Sequence, residues 1–233
     1  MGVLFLDWGI FPDIINIVII NLVLSGDNAV VIALASRNLP DEYRKKAIFW
    51  GASLAVVLRI LLTFAAALLL KVPFVQLVGG LLLAWIAIKL LSPEDEHSDS
   101  EMESSNSFKR ALLTILWADL LMSLDNVLAV AGASGGNLML LVFGIALSIP
   151  IVLAGSTLLS AVMRRFPWLV YLGAAVLAWT AGEMAVSDPA VQPYVHTFSY
   201  LEIAVPVALT LLVISVGKWV RTRALVEKEI NEN

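Results

Sequence analysis

Long apolar runs separated by short polar breaks dominate the chain, and seven of them approach the length of a bilayer-crossing helix. They cover residues 13–35, 44–70, 73–91, 109–133, 138–162, 167–186 and 200–220. A helix needs about 20 apolar residues to cross hydrocarbon, whereas the strands of a membrane barrel need only about 10 and alternate apolar with polar positions. Hydrocarbon offers no partner to a free backbone N–H or C=O, so runs of this length and continuity are predicted to be helices. The third and fourth runs are separated by SPEDEHSDSEMESSNS, which has almost no apolar content and a dense negative charge. It reads as a disordered acidic linker over 93–108, with His97 simply solvated in it.

Composition agrees with a membrane setting. Of 233 residues, 60% are hydrophobic and 15% charged, against about 25% charged in a soluble domain, and the mean hydropathy is +0.89. Cysteine is absent, so disulfides and thiolate metal sites are excluded, and a bound cation must be held by oxygen or by one of two histidines. The first apolar run lacks a basic leader and a small-residue cleavage site, so it is expected to stay as a span.

Charge placement orients the spans. With the N-terminus outside, Arg37, Arg44, Lys45, Lys46, Lys109, Arg110, Arg164, Arg165, Lys218, Arg221, Arg223 and Lys228 all fall on the cytoplasmic side, and only Lys71 falls outside. That bias predicts an external N-terminus and a cytoplasmic C-terminus. The net charge of −4 comes mostly from the linker and says little about partners of the whole molecule.

An internal repeat adds organisation. NLVLSGDNAVVIALAS, residues 21–36, aligns without a gap on DLLMSLDNVLAVAGAS, residues 119–134, so that Ser25 falls on Ser123, Asp27 on Asp125 and Asn28 on Asn126. GGLLLAWIAIK aligns on GAAVLAWTAGE, and Trp50-Gly51 corresponds to Phe143-Gly144. Each unit holds an odd number of spans, three, so the second must enter the membrane from the opposite side. The expected fold is therefore all-α and polytopic: seven transmembrane helices, as two inverted three-helix repeats plus one C-terminal helix. The boundaries are 1–92 for the first repeat, 93–108 for the linker, 109–190 for the second repeat, and 191–233 for the seventh helix and tail. Inverted repeats are how many secondary transporters build a central site open to either side in turn; a static scaffold is the alternative. The seventh span, outside the repeat, is expected to be peripheral or to join copies of the chain in a homo-oligomer.

Charged groups inside spans are costly and mark function by default. Asp27 and Asp125 fall near the middle of spans one and four. Asn21, Ser25 and Asn28 recur at i, i+4 and i+7, as do Asp119, Ser123 and Asn126, so each set shares a helix face. Unwinding near Ser25-Gly26 would help their oxygens converge, although Leu124 replaces Gly26 in the second copy. Carboxylate and amide oxygens suit hard cations such as Mg²⁺, Ca²⁺ or Mn²⁺, which makes Asp27, Asn28, Asp125, Asn126, Asp119 and Asn21 the candidate ligands. Asn and Ser in helix-to-helix hydrogen bonds are the plainer reading of those side chains. Arg59, mid-span, is a counter-ion candidate: three deep carboxylates against one guanidinium leave two negative charges, which a divalent cation would balance. Glu183 lies toward the outer end of span six and is read as a vestibule or proton-exchange carboxylate, with a lipid-interface position as the alternative. Its repeat partner Lys89 ends span three on the cytoplasmic side and is expected to snorkel to water. Gly51, Gly79, Gly144 and Gly173 read as close helix contacts.

NLVLSGDNAVVIALASRNLP, the Arg-Lys-Lys-Ala and Trp-Gly-Ala run, SLDNVLAVAGAS and LAWTAGE together resemble the TerC family of integral membrane proteins, over nearly the whole chain outside the linker and tail. The resemblance implies a seven-span exporter of the lysine-exporter superfamily in a bacterial cytoplasmic membrane, with Mn²⁺ as cargo and Asp27, Asn28, Asp125 and Asn126 at the motif positions. Other members are associated with tellurium resistance, but an acidic midplane argues against carrying an anion. It implies no prosthetic group, no nucleic-acid partner and no catalytic chemistry. Proton entry onto the same aspartates is expected to reset the carrier. Two further classes stay open at this point: an accessory membrane subunit that helps other proteins acquire metal, and an intramembrane aspartyl hydrolase in which two buried aspartates share a proton.

Overall fold

A computed structural model describes the backbone of residues 26–69, 72–91, 101–133 and 138–231, and the side chains within them except 63–69, 101–104, 124–133, 138–141, 143–144, 148 and 224–231. Every regular element among the described residues is an α-helix: α1 (Gly26–Ser36), α2 (Asp41–Leu69), α3 (Val75–Leu91), α4 (Glu101–Ala133), α5 (Leu138–Arg165), α6 (Leu169–Ser187), α7 (Gln192–Thr197) and α8 (Leu201–Asn231). The helices follow the apolar runs, with three departures. α4 begins at Glu101 rather than at 109, so the end of the expected linker is helical. α8 continues past 220 through a tail of alternating charges built on good helix formers. The short α7, with Pro193 in its first turn, fills the connection between α6 and α8.

The helices sort into two sets. α1, α2, α4 and α5 pack around one another; α3, α6 and α8 form the second set; α1 against α6 and α3 against α4 join them. Small residues make the second set tight. Gly173, Ala174, Ala178, Ala181, Gly182 and Ala185 are buried along α6. A Cβ on Gly80 of α3 would overlap the carbonyl oxygen of Ala181, and one on Gly182 would overlap the backbone of Pro206 in α8. Such stripes let helix backbones approach closely where lipid supplies no hydrophobic drive for association. Gly51 and Gly79 are close contacts too, against Ile115 and Met184, as is Gly173 against Val30, Leu34 and Met163. The side-chain surroundings of Gly144 lie outside the described residues.

α8 packs on α3 and α6 along one face. Pro206, Val213 and Gly217 on it are buried, with Gly217 lying against Leu91 at the end of α3. Its opposite face, with Ile203, Leu211 and Trp219, stays exposed.

The outer surface is inverted relative to a soluble protein. Trp50, Val57 and Leu61 on α2, Leu81 and Trp85 on α3, Leu113 and Trp117 on α4, Leu158 on α5 and Leu172 on α6 are all exposed. An apolar belt of this extent would be an aggregation hazard in water and is the expected surface toward lipid. Among the described residues, Ile145–Arg165, Leu169–Ser187 and Leu201–Arg223 are long and apolar enough to cross a membrane, while Gly26–Ser36 and Val75–Leu91 are apolar and shorter.

Candidate functional site

The polar side chains of the first helix set converge between apolar layers. Arg59 of α2 and Asp119 of α4 form an ion pair, Nη2 to Oδ1 2.7 Å, with side chains only 5% and 6% exposed. Arg59 Nε donates to Ser123 Oγ at 3.1 Å, and the Ser123 hydroxyl donates to Asp119 Oδ2 at 3.3 Å. The one-turn spacing of Asp119 and Ser123 puts both on the face of α4 that meets α2, so the guanidinium is held by two points of one helix. Either charge alone would carry a desolvation penalty of several kcal/mol; together they satisfy one another.

Asp27 and Asn28 open α1. Asp27, half-buried, accepts the Asn28 backbone N–H at 2.8 Å, which ties down one of the four orphan donors at the helix start. Arg59 and Asp119 lie within electrostatic reach of its carboxylate. The Asn28 side chain is 3% exposed, and among the described residues neither its amide oxygen nor its amide nitrogen has a partner. It borders a cavity of about 20 Å³ together with Ile32, Ala52, Arg59, Asp119 and Val152, so all four helices of the set contribute to its wall. That is room for about one water or one desolvated small ion. Buried amides are nearly always hydrogen-bonded, so an unpaired one beside a cavity marks a place built to receive something.

The structure thus brings together Asp27, Asn28, Arg59, Asp119 and Ser123. Asp119, expected among the ligands, is the direct partner of Arg59, while Asp27 stands at longer range. Asn21, Ser25 and the side chains of Asp125 and Asn126 lie outside the described residues; the helix of α4 runs unbroken through 125 and 126, with no unwinding at Leu124. Glu183 does not join the cluster. It is exposed in a stripe with Leu172, Val176, Trp179 and Ser187, on the side of α6 opposite its small-residue face. Lys89 is likewise exposed, its ammonium 5.5 Å from the centre of the Trp85 ring. Among the described residues no group of three or more His, Asp or Glu side chains is placed to hold a metal by itself.

One buried carboxylate with a structural role was not anticipated from sequence. Asp188, fully buried just past the end of α6, accepts backbone N–H groups from Phe74 (3.0 Å), Gln76 (3.1 Å), Leu77 (3.1 Å) and Ala190 (2.8 Å). It caps α3 from another helix and fixes Phe74 in a left-handed conformation, φ 69°. Burial pushes its carboxyl pKa up, but the backbone donors outweigh burial and hold it below the ordinary carboxylate range. The turn signal Ser-Asp-Pro was visible in the sequence; the capped helix, over a hundred residues earlier, was not.

A helical bundle with a lipid-type outer belt and a sequestered ion pair is an integral membrane protein. Residues 6–225 match the Integral membrane protein TerC family, and the chain belongs to that family. It is 44% identical over 202 residues to the uncharacterized membrane protein YjbE of Bacillus subtilis (strain 168), a match covering 87% of this chain and 92% of that one. The uncharacterized membrane protein YceF of the same organism is 26% identical over 250 residues, covering 97% and 95%. The UPF0053 inner membrane protein YoaE of Escherichia coli (strain K12) is 25% identical over 185 residues, covering 72% of this chain and 36% of that protein. No solved structure matches the chain.

Proposed function

We propose that the chain is a secondary transporter that exports divalent metal cations, Mn²⁺ first among them, across the bacterial cytoplasmic membrane. The observation that carries this reading is the unpaired, buried Asn28 amide facing a small cavity beside Asp27 and the Arg59–Asp119 pair. The donors are hard oxygens, suited to Mn²⁺, Mg²⁺ or Ca²⁺. Arg59 already neutralises Asp119, so Asp27 and its repeat counterpart Asp125 are the two carboxylates left to balance a divalent charge, with Asn28, Asn126 and Asn21 supplying neutral oxygens. Protons replacing the cation on the same aspartates reset the carrier.

Alternating access requires the seven-span inverted repeat, and helix pairing supports it. Exchanging the first three spans for the second three turns the α1–α5 contact into α4–α2, and α1–α6 into α4–α3; both members of each pair are present. The basic ends also gather: Asp41 at the start of α2 pairs with Arg44 and, at 3.3 Å, with Arg164 near the end of α5. This supports one basic, cytoplasmic face and an external N-terminus.

The test is metal flux. Purified protein in liposomes should move Mn²⁺, and Asp27→Asn and Asp125→Asn should each abolish that movement with the folded fraction unchanged. Full flux in both variants overturns the site; a wild-type protein that moves no divalent cation overturns the transporter reading.

A further inference from the structure

Hydroxyl groups line a seam that leads out of the polar chamber. On α5, Val152 borders the chamber cavity, and Ser156 and Ser160 follow it at i+4 and i+8 on the same face. Both serines are fully buried. α1, packed against α5, carries Asn28, Ile32 and Ser36 at the same spacing, and Ser36 is fully buried as well. The two helices run parallel and in step. Near its start α1 shares the cavity wall with Val152; further on, Leu34 and Met163 meet at one point of α6, Gly173; past its end, Asp41 reaches Arg164 at 3.3 Å. From Val152 to Arg164 the helix rises by about 18 Å, comparable to the hydrocarbon depth of one leaflet, half of about 30 Å.

Ser36 and Ser156 donate their hydroxyl protons to the carbonyls of Ile32 and Val152, at 2.7 Å each, the ordinary use of serine inside a helix. Each such oxygen keeps its lone pairs. Ser160 departs from that habit. The Ser156 carbonyl stands one turn before it, yet among the described residues the Ser160 hydroxyl has no partner, although no part of the residue is exposed. At the inner end of the same seam the Asn28 amide is likewise unpartnered. Buried polar groups are nearly always bonded, so a stripe of hard oxygens with unmet groups toward both ends is fitted to a passing guest that brings the missing partner.

We propose that the α1–α5 seam is the route by which the cation passes between the cytoplasmic side and the chamber, with the Asp41 carboxylate at its mouth and the Ser160 and Ser156 hydroxyls as the oxygens met on the way. The route deepens the transport reading and rests on it. Carboxylate and hydroxyl oxygens are hard donors that Mn²⁺, Mg²⁺ and Ca²⁺ accept in exchange for water. Arg164 holds the same Asp41 carboxylate, so an arriving divalent cation competes with the guanidinium that ties the end of α5 to the start of α2.

The chain has no cysteine, so single-cysteine variants report one position each. The full-length protein is placed in membrane vesicles of either orientation, and Ser160→Cys is treated with a membrane-impermeant cationic methanethiosulfonate. Because Ser160 is fully buried, its reaction reports the seam in its open state. From the cytoplasmic side it should react at least about 30 times faster than Leu158→Cys, exposed toward lipid on the same helix, because the reactive thiolate forms only where water reaches the thiol. Saturating Mn²⁺ should slow the reaction about tenfold, and K⁺ at equal ionic strength should not. Ser156→Cys, one turn deeper, supplies the same readings if Ser160→Cys does not fold. In liposomes, Ser156→Ala combined with Ser160→Ala should cut Mn²⁺ flux about tenfold, the size of two lost contacts of hydrogen-bond strength. A rate no higher than that of Leu158→Cys, or equal from both sides, overturns the route while wild-type Mn²⁺ flux leaves the transporter reading standing. Full flux in the double variant, or no protection by Mn²⁺, overturns the hydroxyls as cation contacts. Absence of wild-type flux overturns the transporter reading itself, and the route with it.

Discussion

Breaking the Arg59–Asp119 pair from either side should cost far more than removing it whole. At 2.7 Å and an effective dielectric constant of about 20, the attraction is worth about 6 kcal/mol. Most of that offsets the desolvation of two ions that are almost completely buried, so the net contribution of the intact pair is small. Arg59→Met leaves the Asp119 carboxylate in an apolar wall with Ser123 beside it; Asp119→Leu takes the ion-pair carboxylate from the guanidinium, with Ser123 and, at longer range, Asp27 still near it. Each single change should destabilise the protein by about 3–5 kcal/mol. The double variant removes both charges, fills similar volume, and should fall within about 1 kcal/mol of the wild type. Reversible unfolding in mixed micelles of rising denaturing-detergent fraction, followed by tryptophan fluorescence, gives the four corners of the cycle. The coupling should exceed about 3 kcal/mol, well beyond the few tenths typical of independent sites. Single-variant losses below about 1 kcal/mol, or a double-variant loss equal to the sum of the singles, would refute the buried pairing.

Asp188→Ala should cost about 1–3 kcal/mol by leaving buried backbone donors at the start of α3 without an acceptor. Because the folded-state pKa of Asp188 is depressed, its stabilisation is fully present above the unfolded carboxylate value, about 3.9, and is lost as pH falls through the lower folded value. An acid titration of the unfolding midpoint should therefore show a loss below about pH 4 that is smaller in Asp188→Asn. Glycine-to-alanine changes should divide by site. Gly80→Ala meets a backbone carbonyl of α6 that cannot rotate away and should destabilise by about 1–3 kcal/mol. Gly155→Ala, inside α5 with nothing near its Cβ, should stabilise by about 0.5–1 kcal/mol, read from the same unfolding curves.

The helices were legible because the bilayer imposes one length and one composition on any segment that crosses it. Asp27, Asn28, Arg59 and Asp119 stood out for a related reason: polarity in hydrocarbon is rare enough to be informative at a single position. Which of them touch was not legible, because Arg59 meets Asp119 across sixty residues of chain, and nothing local encodes that. Glu183 shows a different limit. Its place in a repeated motif drew attention, yet the phase of α6 was written in its neighbours: small residues at 173, 174, 178, 181, 182 and 185 define the packed side, and 183 falls outside it. Alanine and glycine mark contact in a membrane helix, where leucine would mark it in a soluble one. Asp188 escaped notice since a carboxylate beside a proline reads as a turn, and a cap that works on a distant helix leaves no trace in its own surroundings.

The packing of α8 has a consequence in time. Chains are made from the N-terminus, so Gly182 and the end of α3 emerge and enter the membrane before the helix that carries Pro206 and Gly217 exists. Until the last span arrives, α1 and α3 already lie against the small-residue side of α6, but Gly182 and the end of α3 still lack the helix that packs on them. The final helix thus acts as a closing wedge: it sets the moment at which the bundle can finish assembling, and a ribosome that stops short of residue 206 releases an open bundle rather than a slightly shortened protein.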